Sequence, residues 1–240
     1  MTNDARPNED YTLGDHVARE SDEYAKAKFR LTLRWLRGEA RGARLANIGC
    51  GSGVFNRMAV DAGFQVAAFE PDPPAYELAA RALPSSNCTL SPLPLESIDG
   101  TAIADVVVMH DVLEHLPDDR AAVERLHRLV DPRGRVILSV PAMPSLFGYH
   151  DEQLGHHRRY TRRTLRAVLE PSFRIVRLRA FGFAFIPITL WFSKWRRRPY
   201  PVESSGRRGL LGRAVRAVCT LESRVPAPIG TSLVCELRPR

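Results

Sequence analysis

The chain is 240 residues long, 44% hydrophobic and 26% charged, with a formal net charge of +8 and a pI near 9.8. That length suits one α/β domain with additions and a sizeable core, and the basic balance favours anionic partners or surfaces. Four cysteines, Cys50, Cys88, Cys219 and Cys235, lie apart without C-x-x-C spacing, which argues against a zinc site or a disulfide framework and fits a reducing cytoplasm.

Residues 1–23 are acidic, weakly patterned and unlike a signal peptide; they read as a tail that orders in part as a lid. Over 24–37, Tyr24, Phe29, Leu33, Trp35 and Leu36 recur at helical spacing among cations, so residues 1–40 form a tail and cap helix and 41–240 the domain proper. Residues 43–48 read as a buried strand entering Gly49-Cys50-Gly51-Ser52-Gly53. A helix over 54–62 follows, stopped by Gly63. Strand two, 65–69, ends in Glu70, and Pro71-Asp72-Pro73-Pro74 opens a helix over 75–83. Cys88-Thr89-Leu90 is a short third strand. Asp105-Val106-Val107-Val108-Met109 is a continuous β-branched run, as in a parallel strand buried on both faces, and it delivers His110 and Asp111 to the sheet's carboxyl edge. A helix from Asp118 to about Val130, a turn at 131–134, a fifth strand at 135–140, a helix opened by Thr161 and a sixth strand at 173–180 complete the alternation. Residues 199–209 read as a mobile loop, 210–222 as a helix and 232–237 as the last strand.

Strand, glycine-rich loop and helix together aim backbone N–H groups and a helix N-terminus at a nucleotide-like ligand. The alternation Gly49, Gly51, Gly53 departs from G-x-G-x-x-G, whose third small residue would fall on Val54. Glu70, about 20 residues past Gly49, is placed to accept both hydroxyls of a ribose. Asn47-Ile48-Gly49-Cys50-Gly51-Ser52-Gly53, Phe69-Glu70-Pro71-Asp72 and His110-Asp111-Val112-Leu113-Glu114-His115-Leu116 resemble the class I S-adenosylmethionine (SAM)-dependent methyltransferases, in their small-molecule branch. The resemblance spans roughly residues 43–180. It implies a Rossmann-like, seven-stranded, mostly parallel sheet with helices on both faces and an antiparallel last strand. It also implies SAM as cofactor, with Asn47, Gly49, Gly51, Gly53, Glu70, Pro71, Leu93, His110 and Asp111 around it. The family's first motif residue is usually acidic; Asn47 keeps an acceptor and loses the charge.

Methyl transfer needs alignment, exclusion of water and sometimes a base. Residues 147–161, inside an insertion at about 141–161, hold three histidines, two carboxylates, two tyrosines and two arginines without helical or strand period. His150 and His157 are the candidate bases, because imidazole titrates near neutrality. Asp151 is their orienter, and Asp111 lies beside the acceptor. Tyr149, His156, Arg158, Arg159 and Tyr160 are candidate acceptor contacts. Arg158 and Arg159, being adjacent, point to opposite sides of an extended chain. No spacing supports a metal site. A second insertion, at about 181–212, begins with Phe181 to Phe192, nearly all apolar, and continues through Lys194, Arg196, Arg197 and Arg198. It is too short to span a bilayer and reads as a substrate wall, a peripheral membrane contact or a face for a second copy.

The expected function is SN2 methyl transfer to O or N of a small-molecule or lipid-like acceptor in the cytoplasm. Two alternatives remain open: a SAM-consuming enzyme of the same fold with a non-methyl reaction, and a basic RNA- or membrane-binding protein with a vestigial site. No recognition-helix or base-stacking signature supports nucleic acid.

Overall fold

The computed structural model describes residues 8–19, 21–39, 41–83, 86–198 and 210–240; the expected loop over 199–209 lies outside them. Two helices, α1 (Glu9–Ala18) and α2 (Glu23–Trp35), precede the sheet. The alternation then runs β1 (Arg44–Ile48), α3 (Val54–Asp61), β2 (Gln65–Phe69), α4 (Pro73–Arg81), β3 (Cys88–Ser91), β4 (Ala104–His110), α5 (Asp119–Leu129) and β5 (Val130–Pro141). After it come α6 (Tyr149–Gln153), α7 (Arg162–Leu169), β6 (Phe173–Phe181), α8 (Ile186–Thr189), a π-helical turn (Leu190–Arg196), α9 (Leu210–Arg224) and β7 (Ser232–Pro239).

The seven strands lie in the order β3-β2-β1-β4-β5-β7-β6. β3, β2, β1, β4 and β5 pair in parallel, and β7 runs antiparallel to both its neighbours. Sequence and structure agree on this class I, Rossmann-like sheet. The order reverses between β1 and β4, so the loops leaving those two strands part and open a crevice at the carboxyl edge.

β4 shows why the sheet is a core element. Val106 and Val108 face one buried layer, with Phe29, Phe55 and Val234; Val107 and Met109 face the other, with Leu126, Leu165 and Leu169. Each layer takes alternate residues of one strand, which a wholly apolar strand permits. The turn expected at 131–134 is instead a bulge within β5: Ala104 pairs with Val130, and the register resumes at Val106 with Arg135. Gly134 makes it feasible, because a Cβ there would lie 2.6 Å from the Asp105 carbonyl oxygen. The 147–161 stretch is not wholly irregular, since it holds α6. No described helix is long and apolar enough to cross a membrane.

α7 starts where the sequence places it. Thr161 Oγ1 accepts from the Thr164 N–H at 3.0 Å, and the Thr161 N–H donates to Thr164 Oγ1 at 2.9 Å. Leu165 and Leu169 then turn inward, fully buried. Thr161→Ala should cost about 1 kcal/mol of stability, readable as a lower urea midpoint with an unchanged slope.

Candidate active site

A cavity of about 840 Å³ lies at the carboxyl ends of β1, β2 and β4. The Gly49–Ser52 loop, Glu70–Pro74, Leu93–Glu96 and His110–Val112 wall it, and Thr12, Leu13 and His16 of α1 cover it. Its size is that of a small-molecule site. Gly49 has φ +65°, and a Cβ there would stand 2.4 Å from a Val112 methyl; Gly51 has φ +55°, with His16 3.2 Å from where its Cβ would be. Both conformations strain any L side chain. Glu70 is 5% exposed. Its Oε2 accepts from the Gly51 N–H at 2.7 Å and its Oε1 from the Asp72 N–H at 3.0 Å, which fixes the carboxylate on the cavity wall. Burial raises its pKa, although those N–H groups oppose the shift. Pro71 and Leu93 also line the cavity. Asn47 is buried, and its amide N–H is committed to Asn56 Oδ1 of α3 at 2.7 Å.

The floor is a hydrogen-bonded chain. Ser139 Oγ donates to Asp111 Oδ1 at 2.9 Å and lies 3.1 Å from His110 Nδ1, so the imidazole carries its proton on Nδ1; Nε2, 3.2 Å from Thr32 Oγ1, accepts from that hydroxyl. Burial, with Lys28 and Arg19 nearby, pushes His110 down to about 3, so it is neutral at physiological pH. Asp111 itself holds φ +53° and pairs with Lys28 Nζ and, at 3.8 Å, with Arg19. Burial would raise its pKa, but the two cations outweigh that and hold it well below the carboxylate range.

A second cavity, of about 330 Å³, adjoins the first, and Asp15, Arg19, Asp111 and Leu154 line both. Its other walls are polar at Lys28, Glu114, His150, His156 and Arg159 and apolar at Tyr24, Phe185 and Ile188. The structure therefore brings His150, His156 and Arg159 to one place, as the sequence suggests. His150 Nδ1 lies 2.8 Å from the Tyr11 hydroxyl, and burial pushes its imidazole down to about 4.

Other expected site residues sit elsewhere. His157 is exposed and lines neither cavity; its backbone N–H is bonded to the Glu114 carbonyl at 2.8 Å, which turns the ring outward. Arg158 points away too, to the Pro117 carbonyl at 2.6 Å and Asp119 at 3.0 Å. Tyr160 is a core residue, 2% exposed, whose hydroxyl donates to Asp119 at 3.0 Å. Tyr149 packs edge-on against Tyr11 and lies off both cavity walls. Asp151 is fully buried and organises the segment: it accepts from the Gly148 N–H at 2.9 Å, from Arg159 Nε at 2.7 Å and from His156 Nδ1 at 2.9 Å. Burial works against its charge, yet those donors hold it at about 2.

Sequence reasoning missed Lys28, Arg19 and Glu114 as site residues. Glu114 is fully buried on the second cavity's wall, and neither carboxylate oxygen has a hydrogen-bond partner among the described residues. Burial, with Asp111 adding repulsion, raises its pKa well above the usual glutamate value. Its signal in the sequence was a carboxylate inside Val112-Leu113-Glu114-His115-Leu116. Ligand atoms of Glu114, His115 and His156 all fall within 4.8 Å of one another, a donor set that could hold a cation or pass a proton.

A reversed strand order, a glycine loop on β1, a carboxylate ending β2 and an adjoining acceptor-sized cavity define the class I SAM-dependent methyltransferase architecture. The chain belongs to the methyltransferase-domain family, whose model matches residues 18–172. It is 27% identical over 149 residues to an uncharacterised methyltransferase of Mycobacterium leprae, covering 62% of this chain and 55% of that one. It is 30% identical over 114 residues to the ubiquinone biosynthesis O-methyltransferase of Xanthomonas oryzae pv. oryzae, covering 46% and 48%. The chain thus spans about half the length of these curated relatives. The crystal structure of a SAM-dependent methyltransferase from Mesorhizobium loti superposes with a TM-score of 0.60 at 17% identity, over 87% of this chain and 96% of that one.

Proposed function

We propose that the chain transfers the methyl group of SAM to an oxygen or nitrogen of a small-molecule acceptor with an apolar part. One observation carries this reading: the two cavities meet at Asp111 and Arg19, on the carboxyl edge where the glycine loop and Glu70 suit a nucleoside with an amino-acid arm. SAM, when bound, supplies a methyl carbon made electrophilic by its sulfonium. Glu70 takes the ribose hydroxyls, the Gly49–Gly53 loop gives backbone groups to the amino-acid end, and Leu93 packs on the base. α1 and the floor chain exclude water. Tyr24, Phe185 and Ile188 accommodate the apolar part of a lipid-like acceptor, in keeping with the ubiquinone-pathway O-methyltransferase among the relatives.

For the acceptor proton we favour Glu114 over His157, which faces solvent. Behind Glu114, Asp151 receives the Nδ1–H of His156, whose Nε2 lies 4.0 Å from Glu114 Oε1. His150, buried and weakly basic, positions the acceptor instead.

The test is calorimetric titration with SAM and S-adenosylhomocysteine, then incubation with methyl-labelled SAM and a panel of alkyl-bearing phenols and amines. Expected are micromolar binding and label in an acceptor. Glu70→Ala should weaken both ligands by about tenfold to a hundredfold, because hydrogen bonds to a charged group contribute roughly 1.5–3 kcal/mol. Methylthioadenosine as the product would favour the non-methyl alternative and sink the methyl-transfer reading.

A further inference from the structure

The segment from Ile186 to Arg198 is built inside out. Its buried members are polar, Thr189 at 7% exposure and Ser193 at 0%, whereas Ile188, Trp191 and Trp195 are 43%, 45% and 70% exposed. A helix in water shows the opposite pattern. The orientation is fixed, because Ser193 Oγ accepts from the His150 backbone N–H at 3.3 Å and a Cβ on Gly148 would lie 2.6 Å from the Ser193 carbonyl oxygen.

Cations flank the exposed rings. Lys194, Arg196, Arg197 and Arg198 are all exposed. The Arg196 guanidinium lies 5.2 Å over the Trp191 ring, itself edge-on to Trp195 at 5.8 Å. Of the four cations, Arg197 is paired with a carboxylate among the described residues, that of Glu152 at 2.5 Å. Tryptophan, with an apolar body and a polar N–H, favours the headgroup level of a bilayer, and a run of cations beside it is attracted by an anionic leaflet.

We propose that this face docks on an anionic lipid bilayer, with Trp191 and Trp195 in the interface and Lys194, Arg196 and Arg198 on the lipid headgroups. Charge complementarity selects the bilayer over a second copy, which would bring the same cations against one another. The inner side of the segment walls the second cavity through Ile188 and Thr189, beside Phe185 just before it. Ile188 belongs to both sides, so the mouth of the acceptor cavity lies at the docked face. Docking rests on exposure and charge alone; the corollary, that the acceptor is taken from the bilayer, rests on the methyltransferase reading.

The experiment is co-sedimentation of the full chain with vesicles of phosphatidylcholine alone or mixed with phosphatidylglycerol. Binding at least about tenfold tighter to the anionic vesicles, weakened by added salt, is expected. The Trp191→Ala/Trp195→Ala double variant should lose about tenfold on both vesicle types, and Lys194→Gln/Arg196→Gln/Arg198→Gln should lose the anionic preference alone. S-Adenosylhomocysteine titration of each variant checks the fold, and Trp195→Ala, the most exposed site, stands in if the double variant misfolds. Indifference of the wild type to anionic vesicles overturns the proposal, as does undiminished binding of the tryptophan variants. A dimer that dissociates in the tryptophan variants without any vesicle binding overturns it in favour of a homodimer face. Wild-type vesicle binding without S-adenosylhomocysteine affinity would strike the methyltransferase reading and leave the docking intact.

Discussion

Glu114→Gln should lower methyl-transfer turnover by roughly 10²–10⁴-fold, the usual contribution of a positioned proton acceptor, while S-adenosylhomocysteine binds as before. The amide keeps the shape of the side chain and cannot take a proton. Under the proposed reading, the methyl carbon would gain a bond to the acceptor as its bond to sulfur broke, sulfur would keep that electron pair, and the acceptor proton would pass to the Glu114 carboxylate. Only ionised Glu114 can do this. Burial raises its pKa, so the rate should climb with pH as the group deprotonates above the ordinary glutamate range, and Glu114→Gln should flatten that limb. Stability moves the other way. A carboxyl whose folded pKa is raised leaves stability intact below the unfolded value and loses it as pH rises through the folded value. Glu114→Gln should therefore melt higher than the wild type, by a margin that grows toward alkaline pH. Unchanged turnover with an unchanged pH profile would remove Glu114 from the reaction.

Asp111→Ala should be strongly destabilising, at about 3–5 kcal/mol, the range for breaking a buried ion pair by removing one partner. The Lys28 side chain is 4% exposed and would be left buried without the carboxylate it faces. Ser139 would lose its acceptor, and with it the hydroxyl orientation that turns its oxygen to the His110 Nδ1–H. Lys28→Met should cost less, because Asp111 keeps Ser139 and Arg19. Urea denaturation of the two variants and their double mutant would measure the coupling. Additive losses would mean that the pair does not act as a unit. Asp111 has a depressed folded pKa, so its share of stability is present above the unfolded aspartate value and fades as pH falls below it. The acid limb of wild-type stability should accordingly be steeper than that of Lys28→Met.

The scaffold and the cofactor side were legible because their signals are local. A β-branched run, alternating glycines and an acidic strand end each fit within a few residues, and β1, β2 and β4 lie where those patterns fall. The acceptor side was not, because its chemistry depends on side-chain direction in a segment without period. Arg158 and Arg159 do take opposite sides, but only the packing of Asp151 decides which of them turns inward. His157 lies two places from Arg159, yet its backbone bond to Glu114 turns its ring to solvent. Glu114 emerges as a candidate only because residues from α2, from the loop after β4 and from 150–159 line one cavity with it, a juxtaposition no single stretch announces. The inverted segment was equally hidden, since Pro187 and a π-helical turn break the period that would expose it.

α1 lies across the first cavity without one buried residue. Polar links hold it: Asn8 to Gln153, Tyr11 to His150, Arg19 to Asp111. Such a helix has little hydrophobic anchorage and opens at the low end of the local-stability range. Lifting this one helix would uncover the first cavity without disturbing the sheet's core. Two of its latches, His150 and Asp111, also face the acceptor cavity. Partners that hold residues 8–19 in place therefore also border the neighbouring chamber.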